Sequence, residues 1–185
     1  PNYASIREIY GQAAAKKLAA EAQIFLILGL SMIVIIFEIF MADLVLLLAP
    51  GFASTPDRLT AATDLARITM PYLLLISVVA LWASIANAHD HFKAGATVPI
   101  IANIGFIAGA VMIPFITNHQ TTLRAIPIAI ALVVAGFAQL IFLYRALSRF
   151  NAVPALILPR LSDAGRKMWR NFLPAAAGAG GMQLN

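Results

Sequence analysis

The residues with the most reactive side chains in this chain are few and scattered. His89-Asp90-His91 places two imidazoles around a carboxylate, but a metal site needs a third ligand at a compatible spacing, and the remaining histidine, His119, does not supply one. No metal or other cofactor is therefore assigned. Cysteine is absent, which excludes disulfides, thiolate ligands and a Cys nucleophile. The sequence holds no GxSxG elbow, phosphate-binding loop or HExxH pair. No catalytic residue is nominated, and the chain is not read as an enzyme. What remains is polarity in the wrong solvent: Glu38, Asn103 and Gln139 each interrupt a long apolar run. A carboxylate there needs a cavity or a partner, and an amide reads first as a hydrogen bond between helices. These three are the candidates for contact with a substrate. Asp43 is expected at the outer interface.

The elements that position these groups follow from composition. Of 185 residues, 61% are hydrophobic and 11% charged, and the mean hydropathy is +0.86. A soluble domain carries roughly 45–50% apolar and 25% charged residues, so this chain lacks the polar surface to live in water. Its net charge of +5 does not point to nucleic acid, because the basic residues sit between apolar runs rather than along one face with aromatics. The fold class expected is an all-α membrane protein, a polytopic helical bundle.

Four runs are long enough to cross a bilayer as helices, 22–49, 68–88, 94–117 and 125–144, and none alternates as a strand would. The first holds Glu38 and Asp43, and the others hold no charge. Pro50-Gly51 is expected to end the first span, proline lacking a donor and glycine permitting the turn. The connection 50–67 continues through Ser54, Thr55, Pro56 and Asp57, residues suited to capping and turning. Pro71 reads as a helix start or kink, and Pro99, Pro114 and Pro127 as shapers of helix ends. Gly105 and Gly109 form a GxxxG pattern, read as close packing.

Ten of the thirteen Lys and Arg residues fall in 1–21, 89–93 and 145–171, and three fall in 50–67 and 118–124. The positive-inside rule assigns the first set to the cytoplasm. Segment 1–21 is expected as a surface helix, with Ile6, Ile9, Tyr10 and Ala13 at helical spacing. The basic segment 145–171 is expected to lie along the headgroups, where anionic lipids are its partner. The run 172–185 is too short to cross and reads as the start of a further span, so the chain is expected to be an internal piece of a longer protein. No span holds Lys or Arg. Any anionic headgroup moved by the whole protein would draw its compensating cations from elsewhere.

An ordered set of motifs adds a resemblance: LAPGF at 48–52, MPYLLLIS at 70–77, ANAHDHF at 86–92, VPIIANI at 98–104, LPRLSDAG at 158–165 and FLPA at 172–175. Together they resemble the MurJ/MviN family of lipid II flippases, in the multidrug/oligosaccharidyl-lipid/polysaccharide exporter superfamily. The resemblance covers essentially the whole chain. It implies fourteen helices in two lobes, of which this chain would be the third to sixth, the segment after them and the start of the seventh. It implies flipping of the lipid-linked peptidoglycan precursor from cytoplasmic to periplasmic leaflet by alternating access, in the bacterial inner membrane, with the charged functional residues in helices outside this chain. The residues here would be scaffold: Pro50, Gly51 and Phe52 at the outer turn, Pro71 in the second span, Asn87 and Phe92 at the inner turn, Pro99 and Asn103 in the third. His91 departs from the Arg usual in the family, so no fixed positive charge is expected there. The alternatives are a polysaccharide-lipid or multidrug exporter of the same superfamily, and a non-transporting scaffold for cell-wall enzymes.

Overall fold

The computed structural model describes residues 3–116 and 125–156. Among these there are no strands. The elements are α1 (Tyr3–Ile39), α2 (Met41–Leu48), a 3-10 turn (Pro50–Ser54), α3 (Pro56–Thr69), α4 (Pro71–Ala88), α5 (Phe92–Ile116) and α6 (Ile126–Ser148). The outer connection 118–124, with His119, and the stretch from 157 through the expected further span lie outside the described residues. Among the described residues, four helical stretches have the length and apolarity to cross a membrane: Tyr3–Ile39, Pro56–Ala88, Phe92–Phe115 and Ile126–Ser148. In hydrocarbon a helix satisfies every internal backbone group within itself, which is why uninterrupted apolar runs settle as helices. The chain is an all-α, multi-pass membrane protein.

Two compact units divide the chain, one of residues 1–26 and 152–185, the other of 27–151. In the first, the backbone of α1 breaks at Gly11 (φ 83°, ψ 173°), a conformation open to a residue without Cβ. The break separates Ala13 from the face expected for Ile6, Ile9, Tyr10 and Ala13. Ile6 instead packs with Ala15 and Leu18, beside Tyr3 and Ala14, while Ile9 and Tyr10 are each 70% exposed. Burial pushes the Tyr3 hydroxyl above its ordinary value, against the opposing pull of Arg7. Glu21, at the end of the expected surface segment, is buried, as is Gln23.

In the second unit, the first span bends at Phe40 (φ −100°, ψ 24°) and continues as α2. Asp43 is exposed in the first turn of α2, where the helix dipole favours a carboxylate. The Ala-Pro-Gly-Phe stretch then closes a 3-10 turn: Phe52 N–H donates to the Ala49 carbonyl at 3.0 Å, and Thr55 N–H to the Phe52 carbonyl at 3.0 Å. Gly51 is not in the left-handed region, and a Cβ there would meet open space. The turn therefore does not need glycine, contrary to the expectation. Pro50 opens it and Phe52 lies half-buried. Thr55 occupies the N-cap position of α3 without a side-chain cap bond, and its hydroxyl is buried with no partner among the described residues.

The stretch expected as turn chemistry up to residue 67 is mostly helix. Pro56 and Pro71 start α3 and α4, and in the first turn of α3 the missing N–H of Pro56 removes no helical bond. Met70 joins them in helical conformation, so α3 and α4 run on as one long stretch. Beyond it, α6 is the central element, packing against α5, α4 and α3. Its core includes Ala135, Leu143 and Leu147, with Val79 and Ile85 of α4 and Val98 of α5. Large apolar side chains such as Ile107, Phe115, Val134 and Phe137 cover the outside, as lipid solvation permits.

Candidate functional site

Two features of the α4–α5–α6 block position the nominated residues: a close seam between helices, and a clasp at one end. The seam rests on glycine. A Cβ at Gly105 would stand 2.6 Å from Cβ of Ala135, and one at Gly109 would stand 2.8 Å from Cβ of Ala131 and 2.9 Å from Cα of Ile128. Both glycines of the GxxxG pattern thus bring α5 onto the backbone of α6. On its other flank, α6 uses Gly136, where a Cβ would meet the Tyr72 ring at 2.9 Å and Leu75 at 3.0 Å on α4. Trp82 of α4 and Tyr144 of α6 add a tilted ring contact at 6.4 Å.

Gln139 lies in this seam, 1% exposed. Its Nε2 donates to the Val98 carbonyl of α5 at 2.8 Å, the interhelical hydrogen bond its position suggested. Among the described residues its Oε1 is buried without a partner. Asn103 behaves otherwise. It is expected as a hydrogen bond between helices, yet it is exposed on α5, pointing away from the seam. Pro99 sits inside α5 and is also exposed. Glu38 is half-buried on α1. The three polar candidates therefore do not converge on one site: one joins α5 to α6 and one faces outward, while the third belongs to another helix.

The clasp is built from two helix ends. His91 N–H donates to the Ala86 carbonyl and Asp90 N–H to the Asn87 carbonyl, both at 3.0 Å, with Asp90 at φ 59°. This is a Schellman termination of α4 with aspartate in the left-handed position that glycine usually takes. At the end of α6, Asn151 (φ 50°) plays the same part, its N–H donating to the Ser148 carbonyl at 3.1 Å. Phe150, between α6 and that cap, lies against both histidines of the first turn. Its ring centroid is 5.4 Å from His89, nearly parallel at 19°, and 5.4 Å from His91 at 60°. Asn87 lies over the first turn of α5, where a Cβ at Gly95 would meet its Oδ1 at 3.1 Å. Phe92 is 62% exposed.

The histidine pair that raised the question of a metal thus grips an aromatic ring. Among the described residues, no three His, Cys, Asp or Glu side chains gather as metal ligands. The pairing of Phe150 with the histidines escaped the sequence reading. Asp90 and Asn151, short polar residues just past apolar helices, are a legible sign of left-handed caps, but no local signal joins turns so far apart.

The α4–α5–α6 block is held by glycine contacts, an amide and ring contacts. A family model described as Lipid II flippase MurJ matches residues 1–185. The chain belongs to the MurJ lipid II flippase family. Among the relatives of this MurJ-family chain is a protein named probable lipid II flippase MurJ from Rickettsia prowazekii (strain Madrid E). It is 32% identical over 165 residues, covering 88% of this chain and 32% of the relative. A protein of the same name from Rhizobium tropici is 30% identical over 187 residues, 100% of this chain and 35% of the relative. The lipid II flippase MurJ of Burkholderia cenocepacia is 29% identical over 108 residues, covering 58% of this chain and 20% of the relative. The chain spans about a third of the length of the first two of these curated relatives.

Proposed function

We infer that this chain is part of one lobe of a flippase that moves the lipid-linked peptidoglycan precursor across the bacterial inner membrane. The precursor's sugar–pyrophosphate headgroup cannot leave water unaided, so a cavity between two lobes gives it a polar route while the polyprenyl tail stays in lipid. Rocking of the lobes opens that cavity to one leaflet and then the other. A lobe that rocks must move as a body, and the α4–α5–α6 block suits that role. Its interhelical contacts are made by glycine, apolar side chains and Gln139.

The observation that carries this reading is the match of the whole chain to one family whose named relatives are lipid II flippases. The charge pattern supports an orientation with the α4–α5 turn in the cytoplasm. There the exposed Lys93, Arg145 and Arg149 face the anionic leaflet, and lipids of that leaflet bind the basic segment. Depleting the full-length protein in its host tests the function: precursor exposed on the outer leaflet falls, and returns on re-expression. Exposure unchanged by depletion rejects the reading.

A further inference from the structure

Helices α4 and α6 turn different chemistry outward. The exposed face of α6 is made of large apolar side chains, Ile130, Val134, Phe137 and Ile141, which suit lipid. On α4 the only large apolar side chain exposed is Leu73. From Leu73 toward the α4–α5 turn, its open face consists of Ser77, Ala80, Ser84 and Asn87, which lie within about 80° of one another around the helix. Ala80, Ser84 and Asn87 are exposed and Ser77 is half-buried. Ser77 Oγ donates to the Leu73 carbonyl at 2.7 Å and keeps its capacity to accept. Ser84 and Asn87 make no side-chain hydrogen bond among the described residues. Hydroxyls and amides facing hydrocarbon are unfavourable, and polar groups in a span normally face water or a partner.

Asn103 borders the same open side. On α5, Val98, Gly105 and Gly109 face α6, and Gly95 faces Asn87 of α4. Asn103 lies about 80° further round from Gly95, away from α6. The polar groups exposed on these two spans are therefore neighbours across one groove, opposite the seam, and none carries a charge.

We propose that the Ser77–Ser84–Asn87 face of α4, with Asn103 beside it, lines the aqueous route of the flippase and hydrogen-bonds the uncharged sugar hydroxyls of the precursor's headgroup rather than its pyrophosphate. The proposal rests on the flippase reading above and names which part of the headgroup this lobe recognises. A pyrophosphate leaving water needs cations, and these spans hold none. Serine hydroxyls and carboxamides each offer both donor and acceptor, which matches sugar hydroxyls that do the same. The polar face runs about 15 Å, from the middle of α4 to the α4–α5 turn. By the charge pattern that is the cytoplasmic half, where the headgroup enters, and toward the other end the face gives way to Leu73.

The test uses the full-length protein in its native membrane, with its own cysteines replaced. One cysteine is placed at Ser77, Ser84 or Asn87, with Phe137 as the lipid-facing control. An impermeant maleimide, applied to vesicles of either orientation, is expected to modify the three α4 positions and to spare position 137. Purified precursor is expected to slow modification at position 84 several-fold, and a polyprenyl pyrophosphate without sugars to leave it unchanged. No reaction at the α4 positions in either orientation would overturn the proposal, because another helix or lipid would then cover the face. Equal protection by the two lipids, or protection by neither, would overturn the sugar contact. In the depletion assay, Ser84→Ala lowers outer-leaflet precursor several-fold at unchanged protein level, and Ser84→Thr retains it. Full exposure with Ser84→Ala, where the parent protein also restores it, would sink the sugar contact and leave the flippase reading standing.

Discussion

The carboxamide of Gln139 binds with one end only: Nε2 donates to the Val98 carbonyl, and Oε1 is buried with nothing to accept from. A made hydrogen bond contributes about 0.5–1.5 kcal/mol net, while an orphaned buried acceptor costs about 1–3 kcal/mol. Gln139→Leu removes both and is expected to leave stability within about 1 kcal/mol of the parent by these figures, measured as the unfolding midpoint of the full-length protein in detergent. A loss well beyond that would show that Oε1 has a partner. Gly51 provides the converse case at the outer turn. It needs no left-handed conformation and has room for a methyl group, so Gly51→Ala is expected to be neutral or stabilising by up to about 1 kcal/mol. Destabilisation in the same measurement would restore a special role for this glycine.

Between elements, the α5–α6 seam and the clasp make separable claims. A methyl group at Gly105 would collide with Ala135, so Gly105→Ala is expected to destabilise by about 1–3 kcal/mol, the usual range for overpacking. Ala135→Gly in that background should return much of the loss, because it removes the colliding atom. A double-mutant cycle with no coupling would mean that these helices do not meet there. At the clasp, Phe150→Ala removes both histidine contacts. The expected result is faster amide exchange at residues 86–91, with the α5–α6 seam unchanged. Exchange confined to residues near 150 would separate the two turns.

For the molecule as a whole, the distribution of basic residues sets the expectation. The positive-inside rule expects the side with ten Lys and Arg to stay in the cytoplasm and the side with three to cross. A single cysteine at Ser54, exposed in the 3-10 turn, should react with an impermeant maleimide added from outside the cytoplasmic membrane. Reaction only from the cytoplasm would invert the lobe and the assignment of the basic segment to anionic lipid.

Apolar length and proline position determined the helices of this protein from sequence alone, because a backbone in hydrocarbon has few other ways to satisfy itself. The ends of α5 and α6 fall within a few residues of the expected spans, and GxxxG announced a close approach before its partner was known. Orientation of side chains around each helix was not legible in the same way. Four uniformly apolar helices have little polar face to show which side is inward, so Asn103 and Gln139 looked equivalent by sequence. Only the crossing of α5 over α6 made one a hydrogen bond and left the other exposed. Gly11 likewise brought Ala15 and Leu18 against Ile6 by a backbone torsion that no periodicity predicts. The His89–Phe150–His91 contact joins turns brought together by the packing of α6 against α4, and long-range packing of that kind is a property of the fold rather than of any local stretch.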